Sequence, residues 1–372
     1  MNLKPVLLLC LLPLGKGYAQ STPLSYEKEN QSIEDKALFE TGFGGYFDSY
    51  FSDGRLDTNS KKVHQGSFLS KMALYGYVSK ELSSSWTLGG RVKGEGYASS
   101  LQNPHSSGKL KEAYVMLSSD AYGRFMAGAM DNVSEMMTYD APDVGAMGVN
   151  NSLFYHLLLK DKKTQEYFLT STALTSGNNN LKASYISPSL GNIKVGFSYL
   201  SEGNSHQKEL QIWEIRTGFK SALLTSVNAL FEGDSLSTGL TASYGYYFGH
   251  LDTEDQKQYS VSSEVRYLDF VLAGGYRKTD YSTPLPSNQN GQAFNIGFGY
   301  ENTLFGISTS YMKSSQEKTS LYTKTRASMA EVSFVYHASS DMDIFLSGAK
   351  LIYGDRPYKS AFLTTAGLSL LF

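Results

Sequence analysis

WTLGGRVKGEGY, residues 86–97, sorts its side chains by alternate position. Trp86, Leu88, Gly90 and Val92 fall on one face, and Arg91, Lys93, Glu95 and Tyr97 on the other, a period of two that a strand produces and a helix does not. One face suits lipid, the other water. The same alternation governs SKMALYGYV (70–78), where Met72, Leu74, Gly76 and Val78 oppose Lys71, Ala73, Tyr75 and Tyr77. It returns in AFNIGFGYE (293–301), GISTSYM (306–312), MAEVSFVYH (329–337) and MDIFLSGAKLIY (342–353). In the closing FLTTAGLSLLF (362–372), Phe362, Thr364, Ala366, Leu368, Leu370 and Phe372 share a face. Alternation alone specifies an all-β fold and leaves a soluble sandwich open.

Further features select a barrel in a bilayer. The segments run about 10 to 13 residues, longer than the usual five or six, and a strand tilted about 45° needs roughly 9 to 11 to cross the hydrocarbon. Pro23, Pro104, Pro142, Pro188, Pro284, Pro286 and Pro357 all sit between segments, where a missing backbone donor costs no ladder bond. Short connections near Ser83, Asp120, Ser189, Asn302 and Ser339 alternate with long ones at 52–66, 99–108, 131–176, 280–290 and 314–324. Outer-membrane barrels show this asymmetry, with tight periplasmic turns and long outer loops. Aromatics gather at segment ends, as in Tyr46-Phe47, Tyr246-Tyr247-Phe248, Tyr199 and Tyr353, which suits girdles at two interfaces.

Composition agrees. The 372 residues are 41% hydrophobic but only 18% charged, against about 25% charge in an ordinary globular domain. Their 27 tyrosines and 20 phenylalanines exclude disorder, and the 35 glycines show no collagen period. Past residue 19 no apolar run approaches the roughly 20 residues of a membrane-spanning helix. Residues 1–19, MNLKPVLLLCLLPLGKGYA, read as a secretory signal peptide: Lys4 is the basic flank, Val6 to Leu14 the apolar core, and Gly17-Tyr18-Ala19 the cleavage site. Cys10 leaves with it, so the expected mature chain has no cysteine and no disulfide. Loss of Lys4 and Lys16 leaves 31 basic against 35 acidic residues, and nothing points to a nucleic-acid partner. Residues 20–36 are polar and lack a strand period, and the barrel is expected over 37–372.

Length sizes that barrel. The 353 residues after residue 19 give about 22 per strand for 16 strands, wide enough for an aqueous lumen. Seventeen segments can be counted, an odd number that would put the two ends on opposite sides of the membrane. The rhythm fails across 222–257, where LLTSVNALFEG, STGLTASYGYYFG and the polar LDTEDQKQ follow one another. We expect a transmembrane antiparallel β-barrel of 16 strands, with 18 as the alternative.

Several strings resemble the general bacterial, Gram-negative outer-membrane porin family, most of all its alphaproteobacterial-type members. They are SKMALYGYVSKEL (70–82), KEAYVMLSSDAYGRFMAG (111–128), EMMTYDAPDVG (135–145) and NNNLKASYISPSLGNIKVGFSY (178–199), in the family's order, and the terminal Phe372. The resemblance implies that the long third connection, 131–176, folds into the lumen as a constriction loop. Its acids Asp131, Glu135, Asp140 and Asp143 would then face a basic wall in which Lys71 takes the family's arginine position, with Arg91 and Lys93 beside it. Opposed charges across a low-dielectric constriction orient dipolar solutes and bias ion passage. The chain departs from the pattern at Gly128-Ala129, where the family has Gly-Arg, and in lacking the arginine expected before Asn178, which implies a thinner basic wall. Also implied are a homotrimer, contact with outer-membrane lipids and lipopolysaccharide, recognition of Phe372 by the outer-membrane assembly machinery, passage of small hydrophilic solutes and ions, and no cofactor.

Other functions leave weaker traces. A substrate-selective channel for sugars or amino acids would use Tyr75, Tyr77 and Tyr97 as an aromatic slide. An outer-membrane phospholipase or protease would need a nucleophile and base, for which His337 and Ser339 are the nearest pair. His64, His105, His156, His206 and His250 are scattered without metal-ligand spacing. The reading is a channel, not an enzyme.

Overall fold

The computed structural model of the chain is a barrel of sixteen antiparallel strands, each bonded to its sequence neighbours and the first to the last. It describes residues 39–58, 62–83, 85–99, 105–145, 149, 172–174, 178, 180–201, 219–233, 235–249, 255–282, 290–317, 325–353 and 358–372. The signal peptide expected at 1–19, the extension at 20–36 and much of the loop at 131–176 lie outside the described residues.

In chain order the first strands are β1 (Glu40–Thr58), β2 (Lys62–Ser83), β3 (Trp86–Ser99), β4 (His105–Ser119) and β5 (Gly123–Ala129). A short helix α1 (Val133–Met137) precedes β6 (Leu181–Ile186), β7 (Ile193–Leu200), β8 (Phe219–Glu232), β9 (Leu236–Gly249) and β10 (Gln256–Tyr267). The circuit ends with β11 (Phe270–Tyr281), β12 (Gly291–Glu301), β13 (Phe305–Gln316), β14 (Thr325–Ser339), β15 (Met342–Tyr353) and β16 (Tyr358–Leu371). Among the described residues no helix is long and apolar enough to cross a membrane. A closed ladder leaves no strand edge unpaired, which is how strands meet the hydrocarbon's demand that every backbone group be satisfied.

The alternation in the sequence is the inside and outside of the wall. Leu88 and Val92 point outward, 44% and 52% exposed, while Lys93 and Glu95 meet inside. On β12, Phe294, Ile296 and Phe298 are outward and Ala293 and Asn295 are buried inside. A continuous apolar belt of this kind suits lipid and would be an aggregation hazard in water.

The sixteen strands expected are found: of the polar run at 251–258, the described Gln256, Lys257 and Gln258 begin β10, which accounts for the seventeenth segment. Two other expectations are corrected. Within the long connection expected at 52–66, residues 52–57 and 62–66 instead continue β1 and β2 as paired strands, up to Asp57 opposite Lys62. Apolar alternation stops near Phe51, where the lipid would end, but β16 flanks β1 as far as Thr58, so the ladder runs on past it. The opposite deviation occurs at β5, β6 and β7, which have 7, 6 and 8 residues. There the chain leaves the wall and turns into the lumen.

Candidate functional site

The loop between β5 and β6 is anchored at its start by Asn132. Its Oδ1 accepts from the Glu135 amide at 3.1 Å, capping α1. Its Nδ2 donates to the Leu174 carbonyl at 2.6 Å and to Asn178 Oδ1 at 2.7 Å, tying the outgoing and returning limbs together. Val133 and Met137 then pack against Leu174, Leu200, Ala222, Leu224 and Tyr247, a small apolar core inside the barrel.

Beyond α1 the loop runs along β9 to β15 on hydroxyl and amide contacts. The Tyr139 amide donates to Ser262 Oγ at 2.9 Å, and Asn228 Nδ2 donates to the Tyr139 hydroxyl at 3.0 Å. The Tyr139 ring lies on Gly239, where an added Cβ would come within 2.2 Å of it. The Val144 amide donates to Ser308 Oγ at 3.1 Å, and Gly145 fits against Ser333 and Ser347 where a Cβ would collide with both hydroxyls. On the returning limb Thr172 donates to Asp140 at 3.1 Å and accepts from Asn295 at 3.0 Å. Arg277 donates to the Ala173 carbonyl at 3.0 Å and to Gln258 at 3.2 Å.

Opposite, β2 to β4 carry charge. Glu95 stands 2.9 Å from Lys93 and 3.8 Å from both Lys71 and Lys111, and Glu112 stands 3.0 Å from Arg91 and 3.9 Å from Lys93. Tyr46 supports the lattice from β1, its ring beneath Lys71 at 5.3 Å and Lys93 at 5.8 Å and its hydroxyl donating to Glu95 at 3.3 Å. Arg91 lies over the Tyr75 ring at 5.4 Å. A β-bulge builds this wall: Lys93 pairs with Glu112 and Gly94 with Leu110, so Lys111 is the extra residue and turns inward with Glu112.

The residues expected to form a constriction are thus distributed. Lys71, Arg91 and Lys93 share one wall, interleaved with Glu95 and Glu112. Asp131 reaches its edge: burial raises its carboxyl above the usual range, opposed by Lys182, Lys93 and Lys111. Lys182, inward on β6, donates to the Met130 carbonyl and supplies a cation near the site of the missing arginine. Glu135 lies in the first turn of α1. Asp140 is buried against β12, where desolvation raises it to about 6 despite hydrogen bonds from Thr172 and Asn295. Asp143 accepts from the Gly145 amide at 2.8 Å and lies within electrostatic reach of Glu331 on β14. Tyr75 is inward, whereas the Tyr97 side chain lies outside the described residues.

Sequence reading missed Lys111, Glu112 and Lys182 as wall residues. Strict alternation hid the first pair, since it cannot place a bulge, while Lys182 was legible as an inward position of LKASYI. The Asn132 cap was legible too, as Asn followed by Glu three residues on. His337 holds Asp343 at 2.7 Å through Nδ1 and Glu301 at 3.3 Å through Nε2. Ser339 Oγ accepts from the Asp341 amide at 3.3 Å. Both imidazole nitrogens therefore face carboxylates, not the nucleophile that a hydrolase would require.

A sequence profile described as Gram-negative porin matches residues 42–354. No curated protein sequence matches the chain. Among solved structures, OmpF of Salmonella typhi in complex with daunomycin is similar with a TM-score of 0.64 and 12% identity, covering 89% of this chain and 97% of that one. The anion-selective porin of Comamonas acidovorans follows at 0.59 and 13%, covering 90% and 100%. The outer-membrane protein OmpT of Vibrio cholerae, in a trimer form, gives 0.56 and 11%, covering 90% and 100%. At such identities these likenesses speak to the fold, and the family match carries the rest. Since that match runs from within β1 to the end of β15, the chain belongs to the Gram-negative porin family, as a channel in the outer membrane.

Proposed function

We propose that the channel passes small hydrophilic solutes and ions by passive diffusion, sized by loop 3 and only weakly selective for charge. The carrying observation is the lattice on β2 to β4, where Glu95 and Glu112 sit among Lys71, Arg91, Lys93 and Lys111 on one wall. Charges that alternate at contact distance cancel over a few ångströms, so the transverse field a passing ion meets is weaker than that of two separated walls. Asp131 with Lys182 continues the mixed pattern, and Asp140 and Asp143 are engaged in holding the loop. In this reading Lys71, Arg91, Lys93 and Asp131 line the narrow part, while Glu135, Asp140 and Asp143 shape it.

Planar-bilayer recordings under a salt gradient test this. The expected reversal potential is close to zero, and one approaching that of an ideally selective pore overturns the proposal. Saturable block by one solute class would replace it with a substrate-selective channel. We read the assembly as a homotrimer: outward positions on β3 include the small Gly90, Gly94 and Gly96 beside Leu88 and Val92, and the glycines allow close approach of a neighbouring barrel. Removal of residues 1–19 and recognition of Phe372 during assembly belong to the same reading. Phe372 exchanges backbone hydrogen bonds with Gly45 at 2.7 and 3.1 Å, at the closing seam.

A further inference from the structure

At the short-turn, periplasmic end of the barrel, His337 ties three strands together. It is a buried, inward residue of β14 in cross-strand register with Asp343 of β15, and its amide donates to the Leu304 carbonyl in the β12–β13 turn at 2.9 Å. Its Nδ1 stands 2.7 Å from Asp343, and its Nε2 stands 3.3 Å from Glu301, the last residue of β12. The histidine side chain is 3% exposed, Asp343 17% and Glu301 35%. The ring is enclosed, while the second carboxylate looks onto the mouth. Gly306 of β13 lies opposite Glu301 and Ser369 of β16 opposite Asp343, and neither carries charge. Val144 of loop 3 meets Glu301 beside Gly306, with Asp143 engaged farther up β14 near Glu331. Asp341 lies in the β14–β15 turn, and on β10 Glu264 and Arg266 pair through two contacts of 2.5 and 2.9 Å.

Both ring nitrogens can donate at once only in an imidazolium; a neutral ring keeps a single N–H. The shorter contact, to Asp343, retains that proton, and Nε2 then turns a lone pair toward Glu301. Two electron-rich atoms at that distance repel. Loss of the proton therefore adds one negative charge to the trio and unfastens its more exposed carboxylate. We propose that His337 sets the charge preference of the periplasmic mouth according to pH, holding Glu301 while protonated and releasing it toward the permeating ions when neutral. Histidine is the side chain whose ordinary charge change falls between about pH 5 and pH 8. A carboxylate that enters the water within several ångströms of a passing ion changes the ratio of cation to anion permeability by about twofold.

This role needs only an aqueous channel and is independent of how weak the selectivity is at any one pH. Reversal potentials are recorded in planar bilayers under a fixed salt gradient from about pH 5 to about pH 8. Wild type is expected to gain about twofold in cation-to-anion permeability across that range. His337→Gln should lose the step and keep the high-pH ratio throughout, and His337→Lys should keep the low-pH ratio. Asp140→Asn should retain the step, which separates it from titration under loop 3. In micelles, NMR of isotope-labelled histidine follows the His337 ring, assigned by its absence from His337→Gln, and its midpoint should coincide with that of the selectivity step. A step that survives in His337→Gln, or a ring that titrates without a step or at another midpoint, overturns the proposal. A histidine with a purely structural role would alter conductance without altering the pH profile. Gel mobility before and after heating verifies folding, and the wild-type comparison of ring and step decides the matter if neither His337 variant folds. Absence of any conductance would refute the channel itself, whereas a pH-independent reversal potential refutes only the role of the histidine.

Discussion

Lys71, Arg91, Lys93 and Lys111 on β2 to β4 keep their charges beside Glu95 and Glu112, whereas the wall under loop 3 meets it with Ser262, Ser308, Asn228, Asn295 and the serines around Gly145. Both walls point inward and both are polar. They differ in what covers them, water in one case and protein in the other. Burying an ion is costly unless it is fully paired, while a buried hydroxyl or amide needs only one good partner. The buried exceptions are correspondingly well held, Arg277 by a carbonyl and Gln258, and Asp140 by Thr172.

Breaking the covered wall should have the larger effect. Asn132→Ala removes a helix cap and two further hydrogen bonds, leaving buried groups unsatisfied at a cost of about 2–4 kcal/mol to loop docking. Single-channel conductance should rise and protease should cut between β5 and β6, while the barrel keeps its heat-modifiable mobility. Asp140 gives the next effect. Its folded value of about 6 lies above the ordinary 3.8, so its contribution to docking is fully present below the unfolded value and is lost as pH rises through about 6, by on the order of 2–3 kcal/mol. Protease cleavage of the loop should accelerate between about pH 4 and pH 6 and level off above, the interval between the two pKa values, and Asp140→Asn should flatten the profile. Gly239→Val would push Tyr139 from its seat, weakening docking by about 1–3 kcal/mol, with a noisier open channel as the readout.

The charged wall should respond in selectivity rather than stability. Glu95→Gln removes the carboxylate shared by Lys71, Lys93 and Lys111. The reversal potential should move toward anions, and Lys71→Gln with Lys93→Gln should move it toward cations. No shift in either variant would place the narrow part of the path away from β2 to β4.

The wall was legible because period two is a local property: Leu88, Val92, Lys93 and Glu95 announce their faces within a few residues. Sixteen strands followed from length and from the need for an even number. What the sequence withheld depends on contacts distant along the chain. Residues 52–57 and 62–66 are paired as β1 and β2, with β16 beside β1, and β5 and β6 are short where the chain between them turns inward. The loop acids were read by charge alone, which cannot tell Asp131 beside Lys182 from Asp140 beneath Thr172.

The seam between β1 and β16 brings together Ser52 and Thr365, 313 positions apart in sequence, through hydroxyls 3.1 Å from each other. Every other pairing joins neighbours along the chain and can form as soon as two consecutive strands exist. The ribbon therefore grows with two raw edges, each able to recruit a foreign strand, until the final one arrives. Assembly is safe only once that last junction is made, so the chain's vulnerability to aggregation lasts nearly as long as its construction.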